Sequence, residues 1–318
     1  MNLSKINNQS PKTIRPHLNK LSKNNNPSRT SRETERFHSP NPKSQIPNPI
    51  YIHRCDKSLI SIITVCYNEE KNIKKTCDSV AKQKYKNFEW IVIEGKSIDK
   101  TLSIIRKYEK NITSLTSEKD KGVYNAMNKG ISKAKGEYLL FLNGGDYLKD
   151  ENTLQEAYNF IQKDKKTASI YYGDLVYDNG EIISYKKAKL DKKFFINKTI
   201  SHQATFIKRS LFNKLGKYSE NYKIVSDYEF WIKTIIKEKV KVKYLPIIIS
   251  VFDLSGVSTD YKIARQHIKE RIEAMFKYSL INQRQALMLK IKWFILAGLK
   301  KIGVYNFLRR NYRRVFSR

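Results

Sequence analysis

The stretch from Ser117 to Leu148 constrains the fold most strongly, because its pattern changes from helix-like to strand-like within one short segment. Apolar side chains recur at helical spacing at Tyr124, Met127 and Ile131, which predicts a helix that buries one face. The run from Tyr138 to Leu142 is continuously apolar, a pattern typical of a strand buried on both faces of a parallel sheet. A helix followed at once by a buried strand indicates an α/β domain.

The predicted strand ends in the polar loop Asn143-Gly144-Gly145-Asp146. In open α/β sheets, ligands bind beyond the carboxyl ends of the strands, so the carboxylate of Asp146 is expected to face a binding site. Gly136 separates the predicted helix from the strand, and we expect it to end the helix by adopting a positive φ.

Two strand–helix units precede this stretch. Buried strands are predicted at Leu59–Val65 and Phe88–Ile93, followed by helices from Asn72 to Gln83 and from Leu102 onward. Strands that alternate with helices predict a doubly wound domain whose loops converge at one edge of the sheet.

Three later segments complete the predicted fold. Residues 168–176 and 181–185 flank an Asp-Asn-Gly turn and predict a hairpin. Residues 240–250 predict an edge-like strand, because Pro246 interrupts it, and Tyr261 to Lys277 predicts a helix.

The central stretch and its neighbours resemble family 2 glycosyltransferases of the GT-A fold. The similar segments are DKGVYNAMNKGI, GEYLLFL, NGGD, SIITVCYNEEKNI, VIEGKSIDKT and YKIVSDYEFW. The resemblance implies a Rossmann-like, mostly parallel sheet with helices on both faces. It also implies transfer of a sugar from a nucleotide-diphosphate donor, with a UDP-sugar favoured, to a hydroxyl of a glycan or a lipid-linked acceptor. The pathway implied is bacterial cell-surface polysaccharide or lipopolysaccharide biosynthesis.

The resemblance implies a set of nucleotide-sugar contacts, namely Tyr67, Asn68, Glu94, Asp120, Lys121 and Asn128. Tyr67 would stack on the nucleobase, and Lys121 would contact the diphosphate. Glu94 stands where family members usually carry an Asp that contacts the uracil or ribose. The alternatives are that Tyr67 packs in the core and that Glu94 caps a helix.

The resemblance also implies that Asp227 is the general base and that the anomeric carbon is inverted. We expect Ser226 to be the N-cap of a helix whose first turn holds Asp227. The helix dipole would lower the pKa of this carboxyl group and keep it ionised, as a base requires. The alternative is that Asp227 only stabilises the helix terminus.

A divalent cation, Mg²⁺ or Mn²⁺, is expected because the leaving diphosphate develops negative charge and both ions prefer oxygen ligands. Asp146 and Asn143 are the predicted ligands, although the family usually has two acidic residues in this loop. His202 is a candidate contact for the acceptor or a phosphate.

The formal net charge of +32 is concentrated in the two flanks of the chain. Residues 1–60 hold 11 Lys and Arg against 3 Asp and Glu, and residues 261–318 hold 15 against 2. We expect a disordered basic tail over 1–55, a GT-A domain over 56–260 and a basic helical segment over 261–318. No apolar signal-peptide core is present at the start, and three cysteines without a CxxC spacing fit a reducing compartment.

The basic C-terminal segment predicts contact with an anionic membrane surface. Its longest apolar run, Trp293 to Leu299, is far shorter than the roughly 20 residues that span a bilayer. Amphipathic helices lying in the membrane interface are therefore expected, with the protein cytoplasmic and peripheral to the inner face of a bacterial plasma membrane. The alternative is an ordinary packed helix followed by a solvated tail.

Three other functions were weighed against glycosyl transfer. A nucleic-acid-binding protein would explain the charge, but zinc-finger spacings and RNA-recognition aromatic motifs are missing, so no nucleic-acid partner is expected. A sugar nucleotidyltransferase would carry a Gly-rich basic loop after its first strand, where this chain has Cys66-Tyr67-Asn68-Glu69-Glu70. A catalytically weak or dead relative that binds membranes or polyanions remains the alternative.

Overall fold

The computed structural model describes residues 59–254 and 261–291, and the side chains of 261–264 lie outside that description. The predictions for the N-terminal tail (1–55) and for the apolar and basic end (292–318) lie outside the described residues. Among the helices that are described, none is both long and apolar enough to cross a membrane.

The described chain alternates strands and helices in its first half, as the pattern predicts. The elements are β1 (Ile60–Cys66), α1 (Ile73–Ala81), β2 (Phe88–Glu94), α2 (Thr101–Arg106), β3 (Ser114–Ser117), α3 (Val123–Lys133), β4 (Tyr138–Phe141), β5 (Tyr147–Leu148), α4 (Thr153–Lys163), β6 (Ile170–Tyr177), β7 (Ile182–Ile183), α5 (Lys192–Asn197), β8 (Thr205–Lys208), α6 (Arg209–Leu215), α7 (Ser226–Trp231), β9 (Val242–Phe252) and α8 (Tyr261–Lys277). A π-helical stretch, Ile232–Lys237, extends α7, and a further helix covers 283–291.

One curled sheet runs through the domain in the order β3-β2-β1-β4-β8-β6-β9-β5, and β7 pairs with β6. Strands β3, β2, β1 and β4 are parallel to one another. Strand β8 is antiparallel to both of its neighbours, and β9 runs parallel to β6. Most of the paired residues are in parallel registers, so the predicted mostly parallel sheet is confirmed.

The two faces of the sheet are covered by separate hydrophobic cores. Alternate residues of β1 serve each core, with Ile63 on one face and Ile62 on the other, and both are fully buried. Helices α3, α7 and α8 pack on the Ile63 face, whereas α1 and α4 pack on the Ile62 face. Burying each such side chain contributes about 1.5–3 kcal/mol, which explains why continuous apolar runs became central strands.

Two expectations about the fold were wrong. Gly136 does not have a positive φ; it is required because an added β carbon would lie 2.4 Å from Ser61 Oγ and 2.8 Å from the Ser61 nitrogen. Strand β9 is not an edge strand, since it lies between β6 and β5, with a register shift near its proline. Beyond residue 260, Ile272 and Met275 of α8 are buried in the same core as α3 and α7.

Candidate active site

The loops after β1, β2 and β4 lie side by side at the carboxyl edge of the sheet. The Gly95 N–H donates to the Cys66 carbonyl at 2.9 Å, and the Gly144 N–H donates to the Val65 carbonyl at 2.9 Å. Asn68, with a φ of 53°, accepts from the Ile98 N–H at 3.0 Å through Oδ1 and so joins the first loop to the second. The first predicted nucleotide loop is therefore held in place by the second.

Tyr67 and Asp120 lie together against the backbone of Gly95. An added β carbon at Gly95 would come within 3.1 Å of Tyr67 Cδ2 and 3.3 Å of Asp120 Oδ2. The Tyr67 side chain is 58% exposed, so the alternative that it packs in the core is wrong. An exposed ring beside a bare glycine backbone provides a surface on which a flat ring can stack.

Glu94 holds the second loop rather than a helix. It is fully buried, and its carboxylate accepts from the Ser97 N–H and the Ser117 hydroxyl, each at 2.5 Å. The contact of Glu94 with the nucleotide stays a prediction. Its observed hydrogen bonds stabilise the loop after β2, to which Asn68 is also bonded.

The remaining predicted donor residues lie around α3. Asp120 accepts from Lys129 Nζ at 2.5 Å, and the Lys121 side chain is exposed. Asn128 does not fit the predicted ligand role, because its amide is already used within the protein. It donates to the Tyr218 carbonyl at 2.9 Å and accepts from the Tyr218 N–H at 3.0 Å, which ties α3 to the chain before α7.

Asp146 is buried, and the protein already surrounds its carboxylate. Gln203 Nε2 donates to Oδ2 at 3.0 Å, and the Asp253 N–H donates to Oδ1 at 3.1 Å. Burial raises the pKa of Asp146 to about 6, against the lowering effects of Gln203 and His202. Neither Gln203 nor Asp253 was predicted from the sequence to contact Asp146.

The oxygen atoms near Asp146 fit a divalent cation that arrives with a diphosphate. The Asn143 Oδ1 atom is buried and has no hydrogen-bond partner among the described residues. Burial and the charges of Asp253 and Asp146 raise the pKa of Glu69 to about 7, so a cation would relieve this repulsion. Within the described ranges, no three Asp, Glu, His or Cys side chains form a metal cluster. Mg²⁺ commonly uses one or two carboxylates together with substrate phosphates and water.

Asp227 lies at the centre of a second polar group. His202 Nδ1 is 2.8 Å from Oδ2, and Oδ1 accepts from the Tyr124 hydroxyl at 2.9 Å and from the Tyr228 N–H at 2.8 Å. Burial favours the neutral acid, but His202 and Tyr124 outweigh it and hold the pKa of Asp227 below its ordinary value. The Asp227 side chain is 17% exposed, so its carboxylate remains accessible to solvent.

His202 joins the two polar groups. Its Nε2 atom is 3.2 Å from Asn143 Nδ2, while Nδ1 contacts Asp227. The three residues were predicted separately, and the structure brings them into one chain of contacts from the β4 loop to α7. The prediction that Ser226 is the N-cap of α7 was wrong, because Val225 takes that position. The Ser226 hydroxyl is buried and has no hydrogen-bond partner among the described residues.

The sequence matches the model of glycosyl transferase family 2 over residues 61–221. A PGL/p-HBAD biosynthesis glycosyltransferase of Mycobacterium tuberculosis is 28% identical over 214 residues, covering 66% of this chain and 83% of the relative. An uncharacterized glycosyltransferase of Rickettsia typhi is 33% identical over 186 residues, covering 55% of this chain and 58% of that relative.

Solved structures share the architecture at low sequence identity. A complex of S. aureus TarS 1–349 with UDP-GlcNAc has a TM-score of 0.55 and 20% identity, covering 76% of this chain and 72% of that one. A longer TarS chain is covered to only 43% of its length. The mannosyltransferase PcManGT of Pyrobaculum calidifontis, solved with GDP-Man and Mn²⁺, has a TM-score of 0.51 and 16% identity, covering 71% of this chain and 65% of that one.

The chain belongs to glycosyl transferase family 2. Its fold is the GT-A fold, and it is a glycosyltransferase; both the family and the fold inferred from the sequence are confirmed.

Proposed function

We propose that the protein transfers a sugar, of the hexosyl type, from a nucleotide-diphosphate donor to a hydroxyl of a glycan or a lipid-linked acceptor. A UDP-sugar is the favoured donor. The acceptor oxygen attacks the anomeric carbon, its proton passes to the Asp227 carboxylate, and the bond from that carbon to the diphosphate breaks. A base on the face opposite the leaving group inverts the anomeric carbon.

The observation that carries this proposal is the contact between His202 and Asp227 beside the β4 loop. A base must be ionised and within reach of the proton it removes. His202 and Tyr124 hold the pKa of Asp227 low, and Asn143 joins this pair to the loop of Asp146. Proton removal and departure of the diphosphate can therefore take place in one continuous site.

Asp146 and Asn143 Oδ1 would hold a divalent cation. When bound, this cation supplies positive charge to the departing diphosphate. Tyr67 beside Gly95 would stack on the nucleobase, and Lys121 would contact the diphosphate. The related PcManGT structure contains Mn²⁺, which makes this ion a suitable first probe.

Calorimetric titration with UDP, GDP and dTDP, each with and without Mn²⁺, tests the donor site. We expect Mn²⁺-dependent binding of one nucleotide, UDP in the first instance, and loss of that dependence in Asp146→Asn. If UDP, GDP and dTDP all fail to bind, the proposed sugar transfer is contradicted. A catalytically dead relative that binds membranes or polyanions would then be favoured.

Replacement of the base separates chemistry from binding. In Asp227→Asn, we expect turnover to fall by about 10²–10⁴-fold, since the amide cannot accept the proton, while nucleotide affinity is unchanged. The measurement is release of nucleoside diphosphate from a bound nucleotide sugar. Turnover at the wild-type rate would remove Asp227 from the role of base.

We further propose that the enzyme works at the cytoplasmic face of a bacterial plasma membrane, in cell-surface polysaccharide or lipopolysaccharide assembly. The support is the 15 Lys and Arg against 2 acidic residues in 261–318. Each cation near an anionic leaflet contributes about 1 kcal/mol, enough in sum to hold the protein beside a lipid-linked acceptor.

A further inference from the structure

The carboxylate of Glu270 in α8 is buried beneath the segment that carries the proposed base. Its side chain is 2% exposed, and it accepts hydrogen bonds from three successive backbone N–H groups. The Lys223 N–H donates to Oε1 at 3.0 Å, and the Ile224 and Val225 N–H groups donate to Oε2 at 2.9 and 3.3 Å. These three N–H groups belong to residues two to four positions before Asp227 in the chain.

The same segment is held from its other side by Tyr124. The Tyr124 hydroxyl lies 2.7 Å from the Ile224 carbonyl oxygen and 2.9 Å from Asp227 Oδ1, and its one proton is shared between these two acceptors. Residues 223–225 are therefore fixed between Glu270 and the tyrosine that also contacts the base. Any shift of this segment changes the position of Asp227 relative to His202.

Two other contacts join α8 and its following turn to α7 without touching residues 223–225. Glu229 accepts from Lys277 Nζ at 2.9 Å and from the Tyr278 hydroxyl at 2.5 Å. The Arg271 guanidinium lies 4.3 Å from the centre of the Tyr228 ring. Because these contacts already bind the helices together, Glu270 is not needed merely to attach α8.

We propose that Glu270 is a positioning residue for the base, so that α8 is part of the catalytic apparatus. This inference rests on the proposed role of Asp227. The three buried backbone N–H groups need acceptor oxygens within hydrogen-bonding distance. The carboxylate of Glu270 supplies two such oxygens. Glu270 lies beyond the residues that match the family, which end at 221.

The ring nitrogens of His202 report the geometry directly and need no substrate. In ¹⁵N-histidine-labelled full-length protein, assigned with His202→Gln, the ring ¹⁵N shifts reveal which nitrogen is protonated and bonded. We expect Glu270→Gln to shift these signals towards those of an imidazole without a fixed partner. Glu270→Asp keeps the charge but withdraws the carboxylate, so it should cause the same change if position matters.

Matched variants control for loss of charge and of packing. Glu273→Gln removes a half-exposed carboxylate from the same helix, and Glu229→Gln removes a buried one between the same helices. Both should leave the His202 signals as in the wild type, whatever they do to the melting temperature. Unchanged His202 signals in Glu270→Gln and Glu270→Asp would overturn the proposal.

Kinetics provide the second readout. For the nucleotide sugar whose nucleotide binds, we expect Glu270→Gln to lower kcat by about 10²-fold, the effect of misplacing a catalytic group by about 1 Å, with the nucleotide Kd unchanged. Equal kcat values in Glu270→Gln and Glu273→Gln would contradict the proposal that Glu270 positions Asp227. If the wild type binds no nucleotide, the donor proposal fails, while the His202 signals still decide whether Glu270 positions Asp227.

Discussion

At the scale of single residues, the contact between His202 and Asp227 predicts a pH effect. Burial raises the pKa of Asp227, but the hydrogen bonds from His202 and Tyr124 reverse that shift and leave it below the ordinary value. In His202→Gln the Nδ1 contact with Asp227 is lost, so the pKa of Asp227 should rise. Because the base works only when ionised, the acid limb of the profile of kcat/KM against pH should move to higher pH.

The control for this experiment is Tyr185→Phe. The Tyr185 hydroxyl is 3.4 Å from Ser201 Oγ, next to His202, but it makes no hydrogen bond to Asp227. The acid limb of the kcat/KM profile of Tyr185→Phe should match that of the wild type. An unshifted limb in His202→Gln would show that His202 does not tune the base.

The sequence indicated which residue types stand on the loops but not which side chains meet. Asn143 and His202 are 59 residues apart, and His202 and Asp227 are 25 apart, so no local pattern encodes their contacts. Asn128 was misjudged for the same reason, because its partner Tyr218 is 90 residues away. Tyr124 was predicted only as a core residue, because its ring follows the helical apolar spacing, whereas its hydroxyl reaches Asp227.

At the scale of elements, the turn between α3 and β4 depends on close backbone contact at Gly136. Its N–H donates to Ser61 Oγ at 2.9 Å and to Glu89 Oε1 at 2.7 Å. In Gly136→Ala the methyl group would lie 2.8 Å from the Ser61 nitrogen. Strands β1 and β4 would therefore have to move apart. We expect a loss of about 1–3 kcal/mol in the free energy of unfolding, as in other overpacked sites.

Chemical denaturation of Gly136→Ala and Lys135→Ala provides the comparison. Lys135 is exposed and belongs to the same turn, so its truncation should change the free energy of unfolding by less than about 0.5 kcal/mol. Equal stability of the two variants would contradict the close-contact explanation for the glycine.

Elements with a strong apolar pattern were predicted, and those with a mixed pattern were not. The strands β1, β2 and β4 are continuous apolar runs, and their positions agree with the prediction to within a residue or two. Strand β3 (Ser114–Ser117) is short and mostly polar, so it was missed at the edge of the sheet. Strand β9 contains Pro246, which suggested an edge strand and concealed its place between β6 and β5.

At the scale of the whole molecule, the segment after residue 260 has two parts with different expected roles. Helix α8 supplies Ile272 and Met275 to the core and Glu270 to the chain before Asp227. Residues 292–318 contain 8 Lys and Arg and no acidic residue. The first part is expected to be needed for the fold and the proposed site, whereas the second is expected to attract anionic lipid.

Two truncated chains separate these roles. A chain ending at residue 291 should keep the melting temperature and nucleotide affinity of the full chain, but it should no longer sediment with phosphatidylserine-containing vesicles at physiological salt. A chain ending at residue 260 should fail to fold, because a buried helix face is removed from the core. Vesicle binding that survives the cut at 291 would place the membrane contact on the folded domain instead. There the exposed side chains of Leu287, Met288 and Ile291 would be the next residues to replace.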